Sequence, residues 1–178
     1  MNPSGRAAAL LLAIVAVGGL CGCDSAPAHS QGGAVATTYD ADGDFPPFTA
    51  PVVDAADLIP YAAEQRLNAK LIRLQRLTTD QLAIVTIPAL NGEGIETYSL
   101  RLFRKWGLGL KGRNNGVGLI IAPTERKVRI EVGTGLEATL TNEKCARIIA
   151  KDIMPHFRAG DIPAGIEAGA NAIVGELL

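Results

Sequence analysis

The sequence has no marked excess of charge and almost no histidine, and both shortages exclude classes of function. Lys and Arg together number 17 and Asp and Glu number 18, so the net charge is close to zero. Nucleic-acid-binding proteins normally carry a basic excess, and no nucleic-acid partner is therefore expected. There are two histidines, and His29 lies in a segment that is predicted below to be a tether, so His156 is alone in the predicted domain. A single histidine excludes a zinc site of ordinary composition and argues against a Ser–His–Asp triad.

Long apolar runs are missing too, apart from one near the amino terminus. Residues 7–20 contain only Ala, Leu, Ile, Val and Gly, and Arg6 precedes them. The run is shorter than the roughly 17–25 residues that span a bilayer and is typical of a secretory signal. Its end, Leu20-Cys21-Gly22-Cys23, resembles a bacterial lipobox, which implies a signal peptide over residues 1–22 and a lipid on Cys23. The alternative is a soluble secreted protein that is cleaved nearby.

A lipidated Cys23 would anchor the chain to a membrane of the cell envelope through several acyl chains. Asp24 resembles the retention signal of enteric lipoproteins, which implies the periplasmic face of the inner membrane. Residues 23–50 are predicted to form a flexible tether, because they are rich in small and polar residues without apolar periodicity. Three aspartates near its end imitate a calcium loop, but the Gly and Glu that such a loop needs are absent. We interpret them as a solvated acidic stretch.

Cysteine is scarce as well. With Cys21 removed and Cys23 modified, Cys145 is the one remaining thiol, so no internal disulfide can form and the core alone must hold the fold. Cys145 shares a predicted helical face with Ile148 and Ile149. This spacing predicts a buried core thiol rather than a reactive one.

Two segments in the middle of the chain predict a β-hairpin. Residues 117–122 are an apolar run that stops at Pro123, and residues 127–132 alternate charged and apolar side chains. The first strand should be central and the second half-buried. Further patterns predict an edge strand at Val52 and Val53, a strand over 81–88, and helices over 60–78, 95–106, 141–155 and 161–178. Residues 51–178 are therefore predicted to form a three-layer α/β sandwich, with a central mixed sheet and helices on both faces.

The outer ends of a hairpin lie together, so the loop that enters it must meet the loop that leaves it. The residues that meet are Asn114, Asn115 and Gly116 on entry and Gly133, Gly135 and Glu137 on exit. Two interpretations stay open. Asn114, Asn115 and Glu137 could hold calcium, with Glu131 and Asp54 as candidate additional oxygens, or the loops are tight turns in which Asn and Gly accept positive φ. Glu131 and Asp54 could equally be solvated charges.

A dinucleotide cofactor is not expected. Residues 133–138 (GTGLEA) match the dinucleotide-binding pattern, but the preceding strand belongs to a hairpin and the next helix begins later, near Thr141. The middle of the domain carries many cations, which either form solvated faces or form a patch for anionic headgroups or a phosphorylated ligand.

Taken in order, several short segments resemble the TPM domain family over about residues 51–178. They are Val53-Asp54, QLAIVT at 81–86, FRKWG at 103–107, NGV at 115–117, VRIEVG at 128–133 and GLE at 135–137. The resemblance implies an α/β sandwich that is exported and tethered to a membrane. For plant thylakoid members it implies acid phosphatase activity, calcium binding and photosystem repair.

Two departures from the family pattern shape the functional prediction. Many relatives have Asp where this chain has Asn114, and a neutral amide binds hard cations less strongly and transfers no proton at neutral pH. Many bacterial relatives end in a transmembrane helix or a Gly-rich tail, which the lipid on Cys23 would replace. We therefore expect an envelope protein-maintenance or interaction module with another envelope protein as partner. The alternative is a calcium-assisted phosphatase that acts on phosphomonoesters at the hairpin mouth.

Overall fold

The computed structural model describes residues 45–178. The predicted signal peptide, Cys23 and the first part of the predicted tether lie outside the described residues. The strands are β1 (Val52–Asp54), β2 (Gln81–Thr86), β3 (Gly116–Ala122) and β4 (Lys127–Val132). The helices are α1 (Tyr61–Thr78), α2 (Ile95–Trp106), α3 (Asn142–Ile148), α4 (Met154–Arg158) and α5 (Ile162–Leu177).

The four strands form one mixed sheet in the order β1-β2-β3-β4. β1 and β2 pair in parallel, β2 and β3 pair in parallel, and β3 and β4 form the predicted antiparallel hairpin. β3 is buried along its whole length and lies between two neighbours, as its unbroken apolar run predicts. β4 alternates and is an edge strand. The predicted α/β fold with a mixed sheet is confirmed.

Alternate residues of the central strands enter two apolar clusters on opposite faces of the sheet. Leu119 and Ile121 of β3 pack in the cluster to which α1, α3 and α5 contribute, whereas Ile120 packs in the cluster of α2. Ala63, Leu67, Leu71 and Leu74 of α1 are buried as their spacing predicts, but Leu77 is 63% exposed. Within residues 45–178, no helix is both long and apolar enough to cross a bilayer.

Pro155 does not end the third helix, contrary to the sequence-based expectation. A π-helical turn, Ile149–Ile153, follows α3 and leads directly into α4, in which Pro155 occupies the first turn. The N–H of Met154 donates to the carbonyl of Ile149, one residue further back than in an α-helix. Because proline lacks an N–H and crowds the preceding turn, the wider turn lets the chain continue without a break.

The packed structure begins upstream of the predicted boundary at residue 51. Phe45 is 4% exposed and meets Tyr98 of α2 edge-to-face, with ring centroids 5.1 Å apart. The Pro46 carbonyl accepts a 2.9 Å hydrogen bond from Trp106 Nε1, and the Phe48 ring lies 4.9 Å from the Trp106 ring. The last residues of the predicted tether therefore pack against α2.

Candidate functional site

The two loops at the mouth of the hairpin are joined by main-chain hydrogen bonds. Gly133 N donates to Gly116 O at 2.7 Å, and Gly135 N donates to Asn114 O at 3.1 Å. The predicted convergence of the entering and leaving loops is thereby confirmed. Because these contacts are between backbone atoms, they fix the loops independently of their side chains.

The close approach of the loops requires glycine at the leaving side. A Cβ on Gly133 would overlap the carbonyl oxygen of Asn114, and a Cβ on Gly135 would overlap that of Arg113. Both clashes are with backbone atoms, which cannot rotate away. The glycines therefore allow the two loops to pack backbone against backbone.

A third segment, residues 107–112, completes the mouth, and the sequence-based interpretation of the site did not include it. Gly109 N donates to Oε1 of Gln81 at 2.8 Å, and Leu110 N donates to Oδ1 of Asn115 at 2.9 Å. A Cβ on Gly109 would lie 2.7 Å from the nitrogen of Gly116. The closely spaced glycines of this segment were the one signal in the sequence that could have indicated close backbone packing.

Asn115 is a buried connector with 5% exposure. Besides accepting from Leu110, its amide donates through Nδ2 to the carbonyl of Thr79 and to Oδ1 of Asp80, both at 3.0 Å. Each polar atom of the side chain is thus engaged with the framework. Asn115 joins the loop before β2 to the loop before β3, and it is not among the residues that line the adjacent cleft.

The open side of the mouth is a cleft of about 600 Å³. Its polar and charged lining residues are Arg104, Lys111, Asn114, Glu131, Thr134 and Glu137, and Leu100, Phe103, Leu108, Leu110 and Val132 supply apolar walls. Side chains of both charge signs therefore share one concavity. Such a surface suits a ligand that carries charged groups together with an apolar part.

Glu131 is already bound by two neighbours. Its Oε2 accepts from Nε of Arg129 at 2.7 Å and from the hydroxyl of the buried Ser99 at 3.2 Å. Glu137, by contrast, is an exposed residue of the leaving loop and lines the same cleft. The two carboxylates therefore differ in their surroundings. Glu131 is hydrogen-bonded to a cation and a hydroxyl, whereas Glu137 is exposed to solvent.

Asn114 adopts φ of 50°, so the left-handed conformation that the turn interpretation predicts is present there. Of the three predicted calcium ligands, Asn114 and Glu137 line the cleft, whereas Asn115 is turned into the framework. No three His, Cys, Asp or Glu side chains cluster as a metal site within residues 45–178. Calcium binding stays a prediction, with Asn114, Glu137 and Glu131 as the oxygen donors that share the cleft.

Asp54 lies at the other end of the sheet. It pairs with Thr86 at the carboxyl end of β2, whereas Gly116 pairs with Gln81 at the amino end. Those positions are five residue steps apart along β2, a distance of about 16 Å. The carboxylate of Asp54 accepts from the N–H groups of Leu58 at 3.0 Å and Ile59 at 2.7 Å. The structure therefore does not bring Asp54 to the hairpin mouth.

Cys145 is buried in α3, as predicted, and it is 7% exposed. Burial raises the pKa of its thiol, although the charge of Arg129 opposes that shift. A thiol with a raised pKa holds little thiolate at neutral pH. Cys145 therefore has the surroundings of a core residue, as its spacing in the sequence predicts.

Solved structures with a similar fold include proteins from three bacteria. The N-terminal domain of a protein from P. gingivalis is 35% identical, with a TM-score of 0.68 over 72% of this chain and 82% of that one. The N-terminal domain of the cg2496 protein from Corynebacterium glutamicum is 17% identical, with a TM-score of 0.58 over 74% and 82%. The BA42 protein of Bizionia argentinensis is 12% identical, with a TM-score of 0.59 over 68% and 82%. The last two likenesses show the fold alone.

A comparison with curated protein sequences returned no match. The family model described as the TPM domain matches residues 52–176, which is nearly all of the packed structure. The matched region begins at β1 and ends within α5, so it includes both loops of the hairpin mouth. The chain belongs to the TPM domain family.

Proposed function

We propose that this chain is a lipid-anchored TPM domain at the periplasmic face of the inner membrane, where it binds other envelope proteins and assists their assembly or maintenance. The observation that carries the proposal is the cleft at the closely packed hairpin mouth. Its floor is glycine-rich backbone and its rim holds side chains of both charge signs. A preformed concave surface of this kind loses little conformational entropy when it binds a partner.

The state of the polar groups favours binding over chemistry. Glu131 is neutralised by Arg129, and the pKa of the Cys145 thiol is raised by burial. Within residues 45–178 the sole histidine is His156, which lies in α4 and does not line the cleft. These groups do not form an acid–base pair at the cleft. The cleft therefore suits recognition better than general acid–base catalysis.

The point at which the packed structure begins also favours action near a membrane. Residues 24–44 separate Cys23 from Phe45, and the tether that the sequence predicts there would span about 25 Å. Phe45 and Phe48 pack against α2, and Arg104 of the same helix lines the cleft. A lipid on Cys23 would therefore hold the cleft within a few tens of ångströms of the bilayer surface.

Anchoring and partner binding are tested together by membrane fractionation and site-specific photocrosslinking of the full-length chain. A crosslinking residue at Thr134, on the cleft rim, should give a discrete product in membranes, whereas one at the exposed Ile72 of α1 serves as the control. Cys23→Ser should release the chain into the soluble fraction. If Thr134 gives no product that Ile72 lacks, or if Cys23→Ser leaves fractionation unchanged, the proposal is wrong.

A calcium-assisted phosphatase is the second candidate, and one observation favours it. Arg104 and Lys111, which suit a phosphate group, line the same cleft as the oxygen donors Asn114, Glu131 and Glu137. Calcium held by those donors would polarise the phosphoryl oxygens. Turnover of a generic phosphomonoester should then require calcium, stop with a chelator and fall at least about tenfold in Glu137→Ala. Glu167→Ala, on α5, is the matched control, and equal turnover in both variants would exclude this candidate.

A further inference from the structure

The outer edge of β4 is open within the described residues. β4 is the last strand of the sheet, and its six residues pair without interruption with β3. No residue between 45 and 178 pairs with its other side. It contains no proline and no bulge, which are two of the features that blunt an edge strand, and its charged residues, Lys127, Arg129 and Glu131, restrict which partners can pair with it.

The main-chain groups of alternate residues point out from this edge. Gly133 N donates to Gly116 O, and Val132 is paired with Val117 in the next position of the register. In an antiparallel ladder such pairs alternate between hydrogen-bonded and open. The N–H and C=O groups of Arg129 and Glu131 therefore face β3, and those of Val128, Ile130 and Val132 face outward.

A groove of about 530 Å³ runs beside that edge. It is lined by five consecutive residues of β4, Val128–Val132, and by residues of α3 and the loop before it. On the α3 side it presents Leu140, Cys145 and Ile149, which are apolar. On the α2 side it presents Glu96 and Glu131. A strand added here would direct alternate side chains toward an apolar wall and toward carboxylates.

The groove is acidic. Its lining includes four carboxylates, those of Glu96, Glu131, Glu137 and Glu143. Among the residues between 45 and 178 that line the groove, Arg129 is the one cation. Arg129 is paired with Glu131 at 2.7 Å, which leaves three carboxylates not neutralised by it. A hydrogen bond from the Thr141 side chain lowers the pKa of Glu143, which keeps that carboxyl ionised at neutral pH. The cations of α3 are turned away, since Lys144 and Arg147 pair with Glu176 of α5 at 2.6 and 2.5 Å.

We propose that the edge of β4 and the adjoining face of α3 bind an extended segment of another envelope protein in which Lys or Arg alternates with apolar residues. The segment pairs with Val128, Ile130 and Val132 as a fifth strand of the sheet. This proposal rests on the proposed interaction function and names a surface and a partner chemistry for it. The charge of the groove selects a basic segment, and the outward main chain selects an extended one.

Two occupants from this chain itself fit less well. Residues 24–44 contain Asp24, Asp40, Asp42 and Asp44 and no Lys or Arg, so that segment would be repelled by the carboxylates. A second copy that paired edge to edge about a twofold axis would bring the same carboxylates of both molecules together. A basic segment of a different protein meets neither penalty.

The first test uses a fluorescent peptide in which lysine alternates with valine and threonine, added to the full-length chain in detergent. Saturable binding should be lost when glutamate replaces each lysine, and it should weaken at least about tenfold when the backbone nitrogens are methylated, because strand pairing needs the N–H groups. Binding that survives methylation, or equal binding of the acidic peptide, would overturn the proposal. So would a complete lack of binding.

Hydrogen exchange followed by NMR locates the contact. The amides of Val128, Ile130 and Val132 should become protected when the basic peptide binds, whereas those of Arg129 and Glu131 should stay unchanged, because they already pair with β3. Protection of the outward amides that depends on protein concentration in the absence of peptide would indicate a second copy as occupant. Protection confined to other segments would place the peptide elsewhere, and either result would overturn the proposal.

Charge variants complete the test without touching the core. Glu96→Gln and Glu143→Gln, both at exposed residues, should each weaken peptide binding about three- to fivefold at low salt, and Glu167→Gln on α5 should not. Equal affinity in all three would overturn the proposed charge selection. Crosslinking at Thr134 without peptide binding at β4 would contradict this proposal alone. Peptide binding at β4 without any crosslinked partner at Thr134 would support it and contradict the proposed function instead.

Discussion

The two ends of the sheet use similar polar side chains and reach different results. At the carboxyl ends of β1 and β2, Asp54 accepts hydrogen bonds from the N–H groups of Leu58 and Ile59 and from the hydroxyl of Thr86, and these bonds hold a local turn. At the amino ends of β2 and β3, Asn115 links Leu110 to Thr79 and Asp80. We call the first end the sealed end, because its polar groups are hydrogen-bonded within a local turn. The other end lies beside an open cleft.

The difference follows from the hydrogen-bond donors and acceptors that each side chain offers. An ionised carboxylate only accepts hydrogen bonds, so Asp54 collects donors from one short stretch of chain and stabilises a local turn. An amide both donates and accepts, so Asn115 can join two separate loops from behind. Because Asn115 holds the loops together from the buried side, the polar groups on their outer surface are not needed to hold the loops in place. Those groups can therefore contact a ligand.

The largest expected effect concerns the backbone contact at the open end. Gly133→Ala should lower the free energy of unfolding by about 3 kcal/mol, because the new methyl group overlaps the Asn114 carbonyl and forces the hairpin mouth apart. Gly175→Ala, in the exposed part of α5 with no atom near its Cβ, should instead raise it by up to about 1 kcal/mol. Chemical denaturation measures both. Equal stability of Gly133→Ala and the parent chain would contradict the close packing.

An intermediate effect is expected when the two polar groups are exchanged for their isosteres. Asn115→Asp places an acceptor against the Thr79 carbonyl and Asp80, and Asp54→Asn places an amide donor against the N–H of Leu58 or Ile59. Each should cost about 2 kcal/mol of unfolding free energy.

Low pH provides a further test of the Asn115→Asp exchange. The cost of Asn115→Asp should shrink at low pH, where the introduced carboxyl is protonated and can donate again to the Thr79 carbonyl. Denaturation curves at neutral and acid pH measure the difference. An Asn115→Asp chain that is as stable as its parent at neutral pH would show that the amide is not a donor at this position.

The sequence predicts the strands and helices well, because each depends on a local apolar pattern. The buried run of β3 and the alternation of β4 lead directly to their places at the centre and edge of the sheet. The convergence of the loops at Gly116 and Gly133 also follows from the hairpin by counting. The periodicity of apolar residues predicts which side chains of each strand or helix face the core. That information is enough to predict how the sheet and the helices are layered.

The roles of single polar and aromatic residues could not be predicted in the same way. Asp54 and Asn115 are of residue types that often bind ligands. Their hydrogen-bond partners lie in loops, and no periodic pattern in the sequence predicts the path of a loop. Phe45 lies in a stretch rich in small residues, so nothing in the sequence marks its contact with α2. The helix that continues through Pro155 depends on a π turn, for which the sequence offers no comparable signal.

The smallest expected effect tests the sealed end. Burial first, and then the charge of Asp54, raise the pKa of Glu64 in the first turn of α1. A raised carboxyl pKa means that ionisation costs more in the folded than in the unfolded chain. This cost is absent below the unfolded pKa, near pH 4, and is complete above the folded pKa. Glu64→Gln should therefore remove a destabilising charge at neutral pH and change little in acid.

Glu96→Gln is the matched control for that change, because Glu96 also lies in the first turn of a helix and both substitutions lose the same favourable contact with the helix dipole. Relative to this control, Glu64→Gln should gain less than about 1 kcal/mol at pH 7, since the site is partly exposed to solvent. The gain should vanish near pH 4, measured by denaturation at both values. A difference between the two variants that does not change with pH would mean that neither burial nor the charge of Asp54 raises the pKa of Glu64.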